Sequence, residues 1–129
     1  MLGTENLREL TCRVVAMPAD TNAAGDIFGG WVMSQIDMAG SVVAVRKARG
    51  RVATVAVKEL RFIAPITVGD LVSCYAQITA IGNTSITVHV VAEAARQRSE
   101  DMDDQHLVAD ATLTYVALDA EGIPRTIEL

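Results

Sequence analysis

Between Ile27 and Val45 the chain carries one formal charge, Asp37, set among apolar, small and uncharged polar residues. An ionised carboxylate in such surroundings is costly unless something pairs with it, so Asp37 is the first candidate for chemistry. It could act as a general base toward water or attack an acyl carbon directly, and the sequence does not separate the two. Gly29 and Gly30 lie at the start of the same stretch. As the first residues of a helix they would offer free backbone N–H groups and the positive end of the helix dipole to a negative oxygen, with no side chains to keep a carbonyl away. At about 1.5 Å rise per residue, Gly30 and Asp37 would stand roughly 10 Å apart along the axis. A base, a water and a carbonyl must meet at contacts of about 3 Å, so one helix is too long to bring both donors and base to one site. Two antiparallel helices across a dimer axis would solve this, each lending donors to the other's Asp37.

The remaining polar candidates are weaker on local grounds. Asn22 sits in a turn-rich loop, Pro18 to Asp26, where asparagine commonly serves the turn itself, although its amide could orient a water or a carbonyl. Arg46, Lys47, Arg49 and Arg51, with Lys58 following, could meet phosphates, and a solvated helix end explains the first three equally well. His89 and His106 have no ligand spacing to each other or to Cys12 and Cys74, so no metal is expected. No Ser-His-acid set and no phosphate-binding glycine loop is visible, and no cofactor is expected.

The elements that must position these residues follow from periodicity. Val32, Ile36, Ala39 and Val43, with Met33, Gly40 and Ala44, recur at three- and four-residue spacing, which predicts a helix over roughly 28 to 48. Small residues at 40, 41 and 44 suit a helix enclosed on most sides. The basic run and Gly50 mark its end, and Asp26 is a candidate cap or first-turn acid at its start. Its length invites a membrane reading, which the central Asp37, the nearby Gln35, Ser34 and Ser41 and the absence of a second span argue against. Around it the rhythm is period two. Residues 7 to 17 read as a first strand, then Val52 to Ile63, Leu71 to Ile81, Thr84 to Glu93 and Leu107 to Leu118. Ile86, Val88, Val90 and Ala92 share one face, as do Ala109, Ala111, Leu113 and Tyr115.

This β-α-β-β-β-β order implies an α+β fold, an antiparallel sheet wrapped around one long central helix, in a single domain over 1–129. One helix face and the sheet edges would remain uncovered, which points to a dimer. A net charge of −5 and few aromatics argue against a nucleic-acid partner. Two distant cysteines without a secretory signal suggest reduced, buried thiols and a cytoplasmic protein.

The run Met17-Pro-Ala-Asp-Thr-Asn22-Ala-Ala-Gly-Asp26-Ile-Phe-Gly-Gly-Trp-Val-Met-Ser-Gln-Ile-Asp37 strongly resembles the signature of the YciA-type acyl-CoA thioesterases, which have the hotdog fold. The likeness continues through Gly50-Arg51-Val-Ala-Thr-Val, Phe62-Ile-Ala-Pro65, Val68-Gly-Asp70 and Tyr115-Val-Ala-Leu-Asp119. It implies hydrolysis of acyl-CoA to a free fatty acid and coenzyme A by a homodimer, often three dimers to a hexamer. By position it puts the catalytic acid on Asp37 and a partner asparagine on Asn22, contributed by different subunits. Gly30 then takes the oxyanion role, and Gly29, Arg51 and Lys58 contact substrate. The pattern is broken at Ala64, where relatives often carry Lys or Arg before the proline, and residues 99–105 are unusually acidic for a neighbour of CoA phosphates. Two rivals stand beside this reading. A hotdog hydratase or dehydratase would want a histidine near the helix, where neither His89 nor His106 falls; an acyl-CoA sensor without turnover would need an output domain for which the chain has no room.

Overall fold

The computed structural model describes residues 8–96 and 104–128. Strand β1 (Glu9–Val15) leads through a 3-10 turn (Pro18–Asp20) to helix α1 (Gly29–Ala48), followed by β2 (Val52–Phe62), β3 (Asp70–Ile81), β4 (Ser85–Arg96) and β5 (His106–Ala117). All pairings are antiparallel and the strand order is β1-β3-β4-β5-β2. One long helix against one face of a five-stranded antiparallel sheet is the hotdog arrangement expected from the sequence.

The alternation that marked the strands is what builds the core. Val72, Cys74, Ala76 and Ile78 of β3, Ile86 to Ala94 at every second position of β4, and Ala109, Ala111, Leu113, Tyr115 and Ala117 of β5 are all buried. They meet the inner face of α1, formed by Val32, Gln35, Ile36, Ala39, Gly40, Val43, Ala44 and Ala48. Small helix residues let the sheet come close. A Cβ at residue 40 would overlap the Tyr115 hydroxyl and lie 3.2 Å from two of its ring carbons, so only glycine fits there.

Several boundaries differ from expectation. Asp26 does not cap α1: the N-cap is Phe28, no side chain bonds to the free amides, and the first turn holds no acid. Asp26 is instead held in the preceding turn, where its N–H donates to Asn22 Oδ1 and its carbonyl accepts from Asn22 N. Strand β1 ends at Val15, and β4 runs on to Arg96, which pairs across β3 with the buried Asp70 at 2.6 Å. Strand β2 does not pair with the strand that follows it but crosses to the far edge, beside β5. The cysteines, far apart in sequence, are register partners across β1 and β3; both are free, Cys74 buried and Cys12 partly so. The acidic stretch 99–103 and residues 1–7 lie outside the described residues.

Enclosure of the helix is one-sided within a single chain. Met38 is 51% exposed and Val42 and Val45 are each 42% exposed on its outer face, and the neighbouring edge strand leaves Val55 57% exposed. That stripe of apolar surface beside the unpaired outer edge of β2 is what a second copy would cover. No helix among the described residues is long and apolar enough to cross a membrane.

Candidate active site

Asp37 sits two turns into α1, half-buried at the side of the helix that faces β2 and β5. Two hydroxyls hold it. Thr54 of β2 donates to Oδ1 at 2.7 Å, and Tyr115 of β5 donates to the Asp37 main-chain oxygen at 2.8 Å and to Oδ1 at 3.1 Å. The carboxylate is therefore paired, but by neutral donors rather than by a cation, and no donor among the described residues reaches Oδ2. A hydroxyl is a weaker partner than a guanidinium, so the negative charge is oriented without being neutralised. Burial and the nearby Asp37 charge push the Tyr115 phenol well above its ordinary value, which keeps it a proton donor to that carboxylate.

At the start of α1 the N–H groups of Gly29 and Gly30 have no acceptor among the described residues, because the first turn of a helix has no intrahelical partner and Phe28 supplies no side-chain cap. Trp31 N–H is already used by Phe28 O at 3.1 Å. The two glycines differ in what surrounds them. A Cβ at Gly29 would come within 3.2 Å of the Phe62 ring, whereas one at Gly30 would meet nothing within 4 Å. Gly30 thus opens onto space that the chain itself does not fill. Beside Gly29 lies a cavity of about 340 Å³ lined by Ile27, Val32, Phe62, Ile66 and Val108 together with residues 63–65.

Asn22 does serve its turn. Its Oδ1 accepts from Ala24 N at 2.9 Å and from Asp26 N at 3.1 Å, which fixes the orientation of the amide. With the oxygen occupied, the NH₂ group is the end left to donate outward, so the turn role and a substrate role are compatible. The other anticipated residues are not gathered by one chain. Arg51 follows the C-terminal end of α1, at the opposite end from Gly29 and Gly30, and is exposed. Lys58 pairs with Thr112 between the inward-facing Ala111 and Leu113, so it lies on the outer face of the sheet, away from Asp37. Of the basic run, Arg46 is bound to Glu9 at 2.7 Å, while Lys47, Arg49, Arg51 and Lys58 form no ion pair among the described residues. His89 lies on the outer sheet face, 3.9 Å from Asp110, and His106 bonds its own loop at Asp104 O; neither approaches the helix. No group of three potential metal ligands exists among the described residues.

Thr54 carries no local mark in the sequence, and Tyr115, on the inward face expected of it, has a second task at Asp37 that alternation alone does not announce. A signal existed for the second: Tyr115 is an aromatic hydroxyl on an otherwise aliphatic inward face, and a buried phenol needs a partner.

Residues 24–100 match the family described as Thioesterase superfamily. Over 125 residues the chain is 48% identical to a Haemophilus influenzae protein named an uncharacterized acyl-CoA thioester hydrolase, covering 97% of this chain and 81% of that one. It is 44% identical over 119 residues to the acyl-CoA thioester hydrolase YciA of Escherichia coli K12, covering 92% and 90%. Among solved structures, a hexameric thioesterase of Yersinia pestis superimposes with a TM-score of 0.88 at 45% identity, over 94% of this chain and 97% of that one. The acyl-CoA hydrolase of Staphylococcus aureus is more distant. Its threonine-to-alanine form is 29% identical with a TM-score of 0.79 over 90% and 70% of the chains, and its aspartate-to-alanine form 30% with 0.78 over 90% and 69%. The aspartate and threonine replaced there are 17 residues apart, as Asp37 and Thr54 are here.

Proposed function

The chain belongs to the thioesterase superfamily, and from that premise we propose that it hydrolyses acyl-coenzyme A to a free fatty acid and coenzyme A, with Asp37 as the reacting carboxylate. The single observation that carries the assignment is the Asp37 carboxylate, fixed through Oδ1 by Thr54 and Tyr115 with Oδ2 left open. Oδ2 removes a proton from a water that adds to the thioester carbonyl, or itself adds to that carbon; either path begins at the same oxygen. The oxyanion that forms is received by the N–H groups of Gly29 and Gly30, and its collapse breaks the C–S bond. In the base path the expelled CoA thiolate takes back the proton held on Asp37. In the direct path an acyl-Asp37 anhydride remains, which a water then hydrolyses to free acid and Asp37 while its proton goes to the thiolate. The Asn22 NH₂ orients the water or the carbonyl.

These groups cannot all come from one chain, since helix geometry separates Gly30 from Asp37 by roughly 10 Å. The reading is therefore of a homodimer whose antiparallel helices trade donors for base, assembled as a trimer of dimers. It is supported by the uncovered stripe of Met38, Val42 and Val45 and by the hexameric assembly of the Yersinia relative. Arg51, exposed beyond the far end of its own helix, is the cation this reading assigns to the CoA phosphates. Lys58, on the outer face of the sheet, does not reach this site within its own chain. The acyl chain enters the cavity beside Gly29, whose lining side chains are apolar.

The test is a panel of acyl-CoA substrates with detection of released thiol, on the wild type and on Asp37→Asn. Wild type is expected to turn over, and the nearly isosteric variant to lose at least about a hundredfold in kcat, in the range for loss of a positioned base. A folded variant that retains more than about a tenth of wild-type turnover removes Asp37 from the mechanism. Binding of acyl-CoA without any thiol release would favour the non-catalytic sensor.

A further inference from the structure

A buried phenol needs one partner, and Tyr115 has two on the same residue: the Asp37 main-chain oxygen at 2.8 Å and Oδ1 at 3.1 Å. The first is unusual because the Asp37 carbonyl lies in the body of α1, where it already accepts the helical hydrogen bond of the residue four positions on. A second donor there ties the strand to the helix at the residue that bears the carboxylate. The approach is possible only because residue 40, nearly one turn further along the same face, is glycine: any Cβ at that position would occupy the hydroxyl's place. Tyr115 itself is fully buried near the C-terminal end of β5, between the buried Leu113 and Ala117, which hold its ring in place. Thr54, the other donor, comes from a strand with a register shift immediately after it and an exposed environment, and is the softer of the two restraints.

We infer that Tyr115, admitted by Gly40, is a positioning residue that clamps Asp37 at both its backbone and its Oδ1, so that Oδ2 alone is presented to the reacting water or carbonyl. The inference rests on the thioesterase reading and adds to it a rigid support from β5. A clamp of this kind acts on the chemical step and leaves substrate binding alone, because neither Tyr115 nor Gly40 is exposed to the space where CoA would lie. Its removal lets the carboxylate sample rotamers in which Oδ2 is turned from the target, which lowers kcat without raising KM.

The experiment is steady-state kinetics with one acyl-CoA that the wild type hydrolyses, on Tyr115→Phe and, separately, Gly40→Ala, with circular dichroism, thermal melts and CoA affinity by calorimetry on each. Tyr115→Phe removes only the hydroxyl, and Gly40→Ala keeps the hydroxyl but displaces it. Loss of a hydrogen bond to a charged group should lower kcat by about tenfold to a hundredfold, with KM and CoA affinity within about twofold of wild type. Gly40→Ala should show the same split. A Tyr115→Phe protein with kcat within about twofold of wild type overturns the inference. So does a loss spread over kcat, KM and CoA affinity together with a lowered melting temperature, which is the mark of a merely structural residue. An inactive wild type would instead refute the thioesterase reading, so the two failures are distinguishable.

Discussion

If Asn22 and Asp37 reach one thioester from different chains, two inactive proteins should restore each other. The perturbation is the pair Asn22→Ala and Asp37→Ala, each expected to be inactive alone. Asn22 precedes the Gly29 end of α1 and Asp37 lies two turns beyond it, so the roughly 10 Å helix separation keeps the two apart within one chain. In a mixed dimer one site then collects both lesions and the other collects none. Random reassortment makes about half the dimers mixed, each with one intact site of two, so about a quarter of wild-type activity should return if the interface is isologous. Three dimers in a hexamer leave that fraction unchanged, because each site is formed within a dimer. The assay is thiol release after the two proteins are unfolded and refolded together, with subunit exchange verified by mass-tagged chains. Activity no greater than that of the two kept apart, with exchange verified, would refute the shared site.

Arg51→Ala is expected to raise KM for acyl-CoA more than it lowers kcat, and to weaken the salt dependence of KM, since an exposed cation acts on a phosphate through screened charge; identical KM at low salt would return Arg51 to solvent. Asp70→Ala is a contrasting case: its carboxylate is 1% exposed and accepts from Thr67 N at 2.9 Å, Thr67 Oγ1 at 3.0 Å and Arg96 at 2.6 Å. Its loss should cost about 2 to 3 kcal/mol in urea unfolding, toward the low end for a buried pair because Arg96 keeps contact with water, with turnover per folded molecule retained. Arg61 beside Asp110 holds that carboxyl below its ordinary value. A depressed folded-state pKa contributes stability that is fully present above the unfolded value and is lost as pH falls through the folded one, so Asp110→Asn should flatten the acid side of the stability profile below about pH 4.

Much of the fold was legible because its signals are local. Helix α1 was bounded to within a residue by periodicity and by its basic, glycine-marked end, and the inward faces of β4 and β5 followed from strict alternation. The pairing of β2 with β5 was not legible, because nothing in Val52–Phe62 says which edge it will join. The site divides in the same way. Asp37 was visible as a charge where none belongs, and the glycine pair as a bare helix start. Thr54 was hidden, since a threonine in a strand is what any strand contains, and its meaning depends on the long-range pairing that puts β2 alongside α1. Asp26 is not the cap because the helix starts at Gly29 with Phe28 in the N-cap position, two residues past Asp26, whose backbone closes the turn with Asn22.

The strand order has a consequence in time. The two hydroxyls on Asp37 come from β2 and from β5, and β5 is the final strand to be made. During synthesis α1 and β2 emerge early, yet β2 has no neighbour in the sheet until β5 arrives, so its unpaired edge and the apolar face of α1 wait exposed while β3 and β4 form their hairpin. Chains interrupted before Tyr115 would contain Asp37, both glycines and Asn22 and still have no ordered carboxylate. Arrival of β5 and the ordering of the Asp37 carboxylate are in this topology one late event, and chaperone dependence during translation should be set by the delay between β2 and β5.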